Sequence, residues 1–200
     1  MATTTPPRGA EIERATGETR VRLRLALDGA GEATASTGVG FLDHMLDLLA
    51  RHGRLDLEVE ATGDLETGTH HTTEDIGIVL GRALDQALGD RVGVNRYGDA
   101  TIPMDEALAT CAIDLSGRPH LAWTGAIPQV TIGGFETELT EEFFRAVAAN
   151  AKLTAHLRLE AGTNAHHMVE ACFKSFARAL REAVAVDPAE TAVPSTKGVL

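Results

Sequence analysis

The chain is short of several things that would have given it a simple destiny. No apolar run among its 200 residues approaches the roughly 20 that a bilayer-spanning helix needs. No apolar segment follows the polar start from Met1 to Ala10, so neither membrane insertion nor export is indicated. Cysteine is nearly absent. Cys111 and Cys172 show neither disulfide-framework nor zinc-finger spacing, and both sit in apolar patterns, as buried thiols do in a reducing cytoplasm. Positive charge is scarce too: 18 Lys and Arg stand against 29 Asp and Glu, a formal net charge of -11. That balance argues against nucleic acid as the main partner, but not against an anionic metabolite held by a local basic cluster. Only Lys152, Lys174 and Lys197 are lysines; elsewhere the basic residue is Arg. At 44% hydrophobic and 24% charged, the composition is that of a globular chain, long enough for one large domain or two small ones.

What is present is one short pattern, twice. His70-His71-Thr72-Thr73-Glu74 and His166-His167-Met168-Val169-Glu170 both read His-His-x-x-Glu, and each is followed by a helical apolar period. Residues three or four apart share a helix face, so each Glu stands beside its histidines, a donor set for half of a metal site. Adjacent histidines project about 100° apart, too far for both to reach one ion beside the Glu. Two ions are the simpler reading, each motif giving one His to its own ion and lending the other to a partner motif.

The surrounding chain repeats as well. Thr19–Leu27 alternates as a half-buried strand, Asp28-Gly29 turns the chain, and Glu32–Thr37 is expected as the returning strand. Phe41–Arg51 has a helical period with Gly53 as its stop, and Leu55, Leu57 and Val59 alternate again before the first motif helix, which runs to Gly89. The second half replays this with a strand over Ala107–Leu115, another within His120–Val130, a helix over Phe143–Ala151, a strand through Leu157 and Leu159, and the second motif helix. The expected fold is α+β: two similar two-layer halves, each a small sheet covered by two helices, produced by internal duplication. The divisions are a disordered start over 1–10, halves over 11–93 and 94–188, and a tail over 189–200. Aligning the halves pairs His44 with Glu142, which predicts one further ligand per ion. An imidazole-rich set with some carboxylate suits Mn, Fe, Co or Zn better than Mg or Ca. His52, His120 and His156 have no counterpart in the other half and read as ordinary histidines; Asp99 and Asp114 read as caps or turns.

Five stretches, Phe41-Leu42-Asp43-His44-Met45-Leu46, His70-His71-Thr72-Thr73-Glu74-Asp75, Asp114-Leu115-Ser116-Gly117-Arg118-Pro119, Asn164-Ala165-His166-His167 and Ser195-Thr196-Lys197-Gly198-Val199-Leu200, together resemble the imidazoleglycerol-phosphate dehydratase family of histidine biosynthesis. The resemblance runs from about Arg14 to Leu200 with the motifs in family order. It implies a dimanganese enzyme, two Mn²⁺ per active site, that converts D-erythro-imidazole-glycerol phosphate to imidazole-acetol phosphate and water, holding the ring as an imidazolate between the ions. It also implies a cytoplasmic homo-oligomer of 24 subunits with active sites between subunits. Carried over residue by residue, the metal ligands are His44, His70, His71, Glu74, Glu142, His166, His167 and Glu170. Glu170 moves protons, while Glu18 and Asp105 hold the diol. The phosphate falls to Arg96, Arg118, Lys174, Ser195 and Lys197. Three positions depart from the pattern: Glu142 stands where many members have His, Thr69 where an acidic residue is common, and Leu48 where Gln often occurs. A dinuclear metallohydrolase of a phosphate ester, and an assembly protein in which the two motifs merely bind subunits together, are the competing readings of the residues alone.

Overall fold

The computed structural model describes residues 8–200. The first half runs β1 (Gly9–Ala15), β2 (Thr19–Ala26), β3 (Ala33–Ser36), α1 (Gly40–Gly53), β4 (Asp56–Gly63) and α2 (His70–Leu88), with a 3-10 turn at Leu65–Thr67. The second runs β5 (Tyr97–Met104), β6 (Ala107–Asp114), β7 (His120–Thr124), the small hairpin β8 (Thr131–Ile132) and β9 (Phe135–Glu136), α3 (Leu139–Ala151), β10 (Thr154–Ala161) and α4 (Ala165–Val184). The sheet orders are β1-β2-β4-β3 and β5-β6-β10-β7, one topology traced twice. The α+β class, with each sheet packed on helices, is as the sequence predicts. No helix among the described residues is long and apolar enough to cross a membrane.

Three local expectations need correction. Gly9 and Ala10 are not part of a disordered start: they open β1, opposite Ala26 and Leu25 of β2. Residues 1–7 of that expected segment lie outside the described residues. The stretch over Glu32–Thr37 does not return against β2. Its strand β3 runs parallel to β4, because the inner edge of β2 is taken by an eight-residue antiparallel pairing with β4, and α1 provides the crossover that a parallel neighbour needs. Helix α1 turns off not at Gly53 but one residue later, at Arg54, whose left-handed φ of 54° lets its N–H bond the Ala50 carbonyl. Lys152 closes α3 in the same way, with φ 52° and its N–H on Ala148. A cation thus sits at the negative end of both helix dipoles.

Four strands escape the sequence reading: β1, β5 and the two-residue strands β8 and β9. β1 and β5 are sheet edges whose residues alternate between exposed and at most partly covered, Gly98 apart, and an edge is where β5 can carry Pro103.

The inner faces of both sheets and the four helices close on one continuous apolar core. Each fully buried Leu there, such as Leu23, Leu46 or Leu57, contributes about 1.5–3 kcal/mol. The helices cross between halves. A Cβ built on Gly81 of α2 would come within 2.9 Å of the Ala151 nitrogen in α3, and one on Gly53 of α1 within 3.6 Å of the Ala177 carbonyl oxygen in α4. These are the same contact in the duplicated frame. The motif helices therefore each meet the short helix of the other half, and a site built on one motif draws on both.

Candidate metal and anion site

That crossing assembles a cluster. His44 at the start of α1 meets His166 and Glu170 at the start of α4, with one donor atom from each lying within 4.8 Å of the others. Asn164 caps α4 by accepting the His166 N–H, which aligns the first turn, and the Phe41 ring packs edge-on against His166 at 4.9 Å. His166 Nε2 lies 3.2 Å from Glu170 Oε2, and the other Glu170 oxygen accepts from Lys174 Nζ at 2.6 Å. Glu170 is only 6% exposed. Burial pushes its carboxyl up, but the Lys174 hydrogen bond and charge, with the nearby His44 and His166, hold it below the ordinary range on balance.

The first motif repeats the ring geometry and not the surroundings. His70 and His71 stand with centroids 6.1 Å apart and planes at 80°, His166 and His167 at 6.0 Å and 78°. Glu74 is exposed, however, and has Ile78 where Glu170 has Lys174. Glu142 is half-buried, with Arg145 at 3.7 Å. Gly77 of α2 rests against Phe143 and Ala146 of α3, so Glu74 and Glu142 lie about one turn back on the same crossing. His70, Glu74 and Glu142 nevertheless do not form a three-donor cluster among the described residues. Thr69, where the resemblance leads one to expect a carboxylate, instead donates its hydroxyl to Glu136 of β9, which brings a carboxylate to the start of α2 from the other half. Leu48 packs against the core.

The two remaining histidines are held from the side. His71 Nδ1 lies 3.0 Å from Asp64, and His167 Nδ1 2.8 Å from Glu106. Both imidazoles are pushed up by these carboxylates, and Glu106 is held down to about 2 by His167 and the Asn164 and Thr163 N–H groups. Sequence reasoning missed both partners. Asp64 is seven residues before His71, a cue of proximity, whereas Glu106 is 61 residues from His167 and only the fold brings it there. Glu18 and Asp105 occupy matching hairpin turns: Glu18 is 3.9 Å from His71 and Asp105 3.8 Å from His167, both well exposed.

The predicted anion residues divide. Arg96, Arg118, Ser195 and Lys197 line one cleft, over which the chain end folds. Arg96 spends its donors on Asp114 at 2.7 Å and the Pro194 carbonyl at 2.8 Å, so it builds the cleft, while Arg118 and Lys197 stay exposed. Gly117 lets the chain end approach: a Cβ there would lie 2.4 Å from the Leu200 carbonyl carbon. Lys174 is not among the cleft residues; it stays with Glu170.

Residues 37–180 match the family model described as imidazoleglycerol-phosphate dehydratase. An imidazoleglycerol-phosphate dehydratase from Granulibacter bethesdensis is 59% identical over 194 residues, 96% of this chain and 99% of its own. One from Moorella thermoacetica is 57% identical over 193 residues, 96% of this chain and 98% of its own. Among solved structures, the enzyme from Staphylococcus aureus has a TM-score of 0.81 at 44% identity, covering 90% of this chain and 99% of that one. The enzyme from Pyrococcus furiosus, in complex with (S)-C348, has a TM-score of 0.82 at 37% identity, covering 94% and 100%. Agreement of this kind along nearly the whole chain leaves one conclusion: the chain belongs to the imidazoleglycerol-phosphate dehydratase family, the hydro-lyases of histidine biosynthesis.

Proposed function

We propose that the chain converts D-erythro-imidazole-glycerol phosphate to imidazole-acetol phosphate and water at a dimanganese site completed between subunits of a cytoplasmic 24-subunit homo-oligomer. The observation that carries this reading is the His44, His166 and Glu170 cluster, drawn from both halves. Two imidazoles and one carboxylate suit a first-row divalent ion, and three donors fall short of the coordination such an ion takes. His71 and His167, outside that cluster, are the donors left for neighbouring copies. His70, Glu74 and Glu142, at the duplicated position, would hold the second ion.

Held by these residues, the cations would supply Lewis acidity and orientation to the imidazole ring of the substrate. The rest falls to side chains. Hydroxide leaves the carbon attached to the ring, Glu170 accepts the proton from the next carbon, and the enol that results becomes the ketone, so that one water is lost and the phosphate is retained. Lys174 keeps Glu170 ionised and able to accept that proton. Glu18 and Asp105, on the turns beside the histidines, hold the two hydroxyls, and Arg118, Ser195 and Lys197 in the Arg96 cleft bind the phosphate.

The test is to strip metal with a chelator, measure particle size, and restore single metals while following ketone formation and inorganic phosphate. Activity and size fall together and return with Mn²⁺, and no phosphate is released. Full activity in verified metal-free protein overturns the reading.

A further inference from the structure

The four paired histidines divide into two classes by what holds them. The first of each pair, His70 and His166, has no carboxylate on Nδ1 among the described residues; the second, His71 and His167, does. We propose that Asp64 and Glu106 are positioning residues that fix the tautomer of His71 and His167, so that each Nε2 is presented outward as a lone-pair donor to a cation bound by another copy of the chain. This rests on the dimetal reading above.

An ionised carboxylate can only accept, so Nδ1 facing it carries the proton, and a neutral ring protonated on Nδ1 has its lone pair on Nε2. The same hydrogen bond raises the basicity of that lone pair and stops the ring turning about χ2. The carboxylates are themselves pinned. The second Glu106 oxygen accepts from the backbone N–H of Thr163 at 3.1 Å and of Asn164 at 2.7 Å, which ties the β5–β6 turn to the loop before α4. Asp64 accepts from the Thr67 hydroxyl at 3.0 Å.

The two carboxylates also come from non-equivalent places. Asp64 follows β4 in the first half, whereas Glu106 sits in the β5–β6 turn of the second. Simple inheritance from a duplicated ancestor gives equivalent positions. Reaching the same contact on Nδ1 from two different positions marks the orientation of the ring as the thing required. Both rings remain partly open to solvent, at 39% for His71 and 24% for His167, and neither belongs to the three-donor cluster of its own chain.

The experiment uses the full chain, stripped of metal, as wild type, Asp64→Ala, Glu106→Ala, Asp64→Asn and Glu106→Gln. Mn²⁺ affinity is read from bound metal after gel filtration and from the rise in melting temperature that Mn²⁺ produces, with particle size recorded alongside. The alanine variants are expected to lose about 10–100-fold in Mn²⁺ affinity, while the amide variants, which still accept from Nδ1–H, recover most of it. A merely structural role lowers the metal-free melting temperature and leaves the Mn²⁺-induced rise intact, and that result overturns the inference. Asp64, whose carboxylate has only His71 and the Thr67 hydroxyl as side-chain partners among the described residues, carries the test alone if Glu106→Ala does not fold. A wild type that takes up no Mn²⁺ overturns the metal reading and this inference with it. A wild type that binds while the alanine variants bind equally well overturns this inference alone.

Discussion

The two halves share a topology and differ in chemistry. Where β2 lines the outer face of its sheet with Arg20, Arg22 and Arg24, paired to Glu11, Glu13 and Glu58, the equivalent positions of β6 are Leu108, Thr110 and Ala112. Where α2 meets its neighbour through Gly77 and Gly81, α4 carries Phe173 and Ala177, and Phe173 joins Phe143, Phe144 and Phe176 in an aromatic cluster. The motifs diverge in the same way. Glu170 is buried beside Lys174 and clustered with His44 and His166, whereas Glu74 is exposed with Ile78 one turn on. Duplication preserved the backbone path, which the shared core requires, and left the side chains at the sites free to take different roles.

The sharpest way to break this comparison is to neutralise both glutamates in turn. Glu170→Gln is expected to lower kcat by about 10³-fold whatever the metal concentration, as the loss of a proton-moving group does. Glu74→Gln loses at least about 10-fold, through weaker metal binding, and recovers in excess Mn²⁺. Steady-state kinetics across a Mn²⁺ series decides it, and losses that respond alike to metal would remove the distinction between the motifs.

The helix crossings differ next. Gly81→Val drives a side chain into the Val147 carbonyl and is expected to destabilise the metal-free protein by about 3 kcal/mol. Ala177→Gly, at the equivalent place in α4, costs about 1 kcal/mol. Urea unfolding measures both; equal effects would mean that the two crossings are equally tolerant.

A smaller contrast is in pH. Asp56 accepts the backbone N–H groups of Ala30, Gly31 and Glu32, and chiefly the Glu32 bond holds its carboxyl below the usual value. Its counterpart, Thr154, bonds Ser116 and Arg118 through a hydroxyl that does not titrate. A carboxyl lowered on folding contributes stability above its unfolded value of about 3.9, and that contribution is lost as pH falls through the folded value. The stability gap between wild type and Asp56→Asn is therefore expected to narrow on acidification, while that between wild type and Thr154→Ala stays flat. The smallest effect concerns the thiols, which both lie in the second half, at the positions of Leu23 and Ile76. Burial pushes Cys111 and Cys172 far up, so neither is expected to react with iodoacetamide at pH 8 until the protein is unfolded, as mass spectrometry would show.

Much of this was legible in the chain itself. The period of Phe41, Met45, Leu46 and Leu49 marks α1, the alternation of Val21, Leu23 and Leu25 marks β2, and two His-His-x-x-Glu copies mark the starts of α2 and α4. The edge strands β1 and β5 were not: their residues do alternate, but the inward ones, such as Ala10, Arg14 and Ala100, are small or polar and only partly covered, so the apolar contrast that marks an inner strand is shallow. Nor was the partner of β3, since a four-residue strand carries no sign of which neighbour it will find.

The sequence alone determined whatever depends on neighbours along the chain: the helices, the inner strands, the doubled motif and the family it resembles. The tertiary structure decided which distant groups meet. His44 joins His166 and Glu170 only because α1 crosses α4, and Glu106 reaches His167 only because the β5–β6 turn folds beside the start of that helix. Contacts of that kind are set by the packing of a whole core at once, and no local pattern records them.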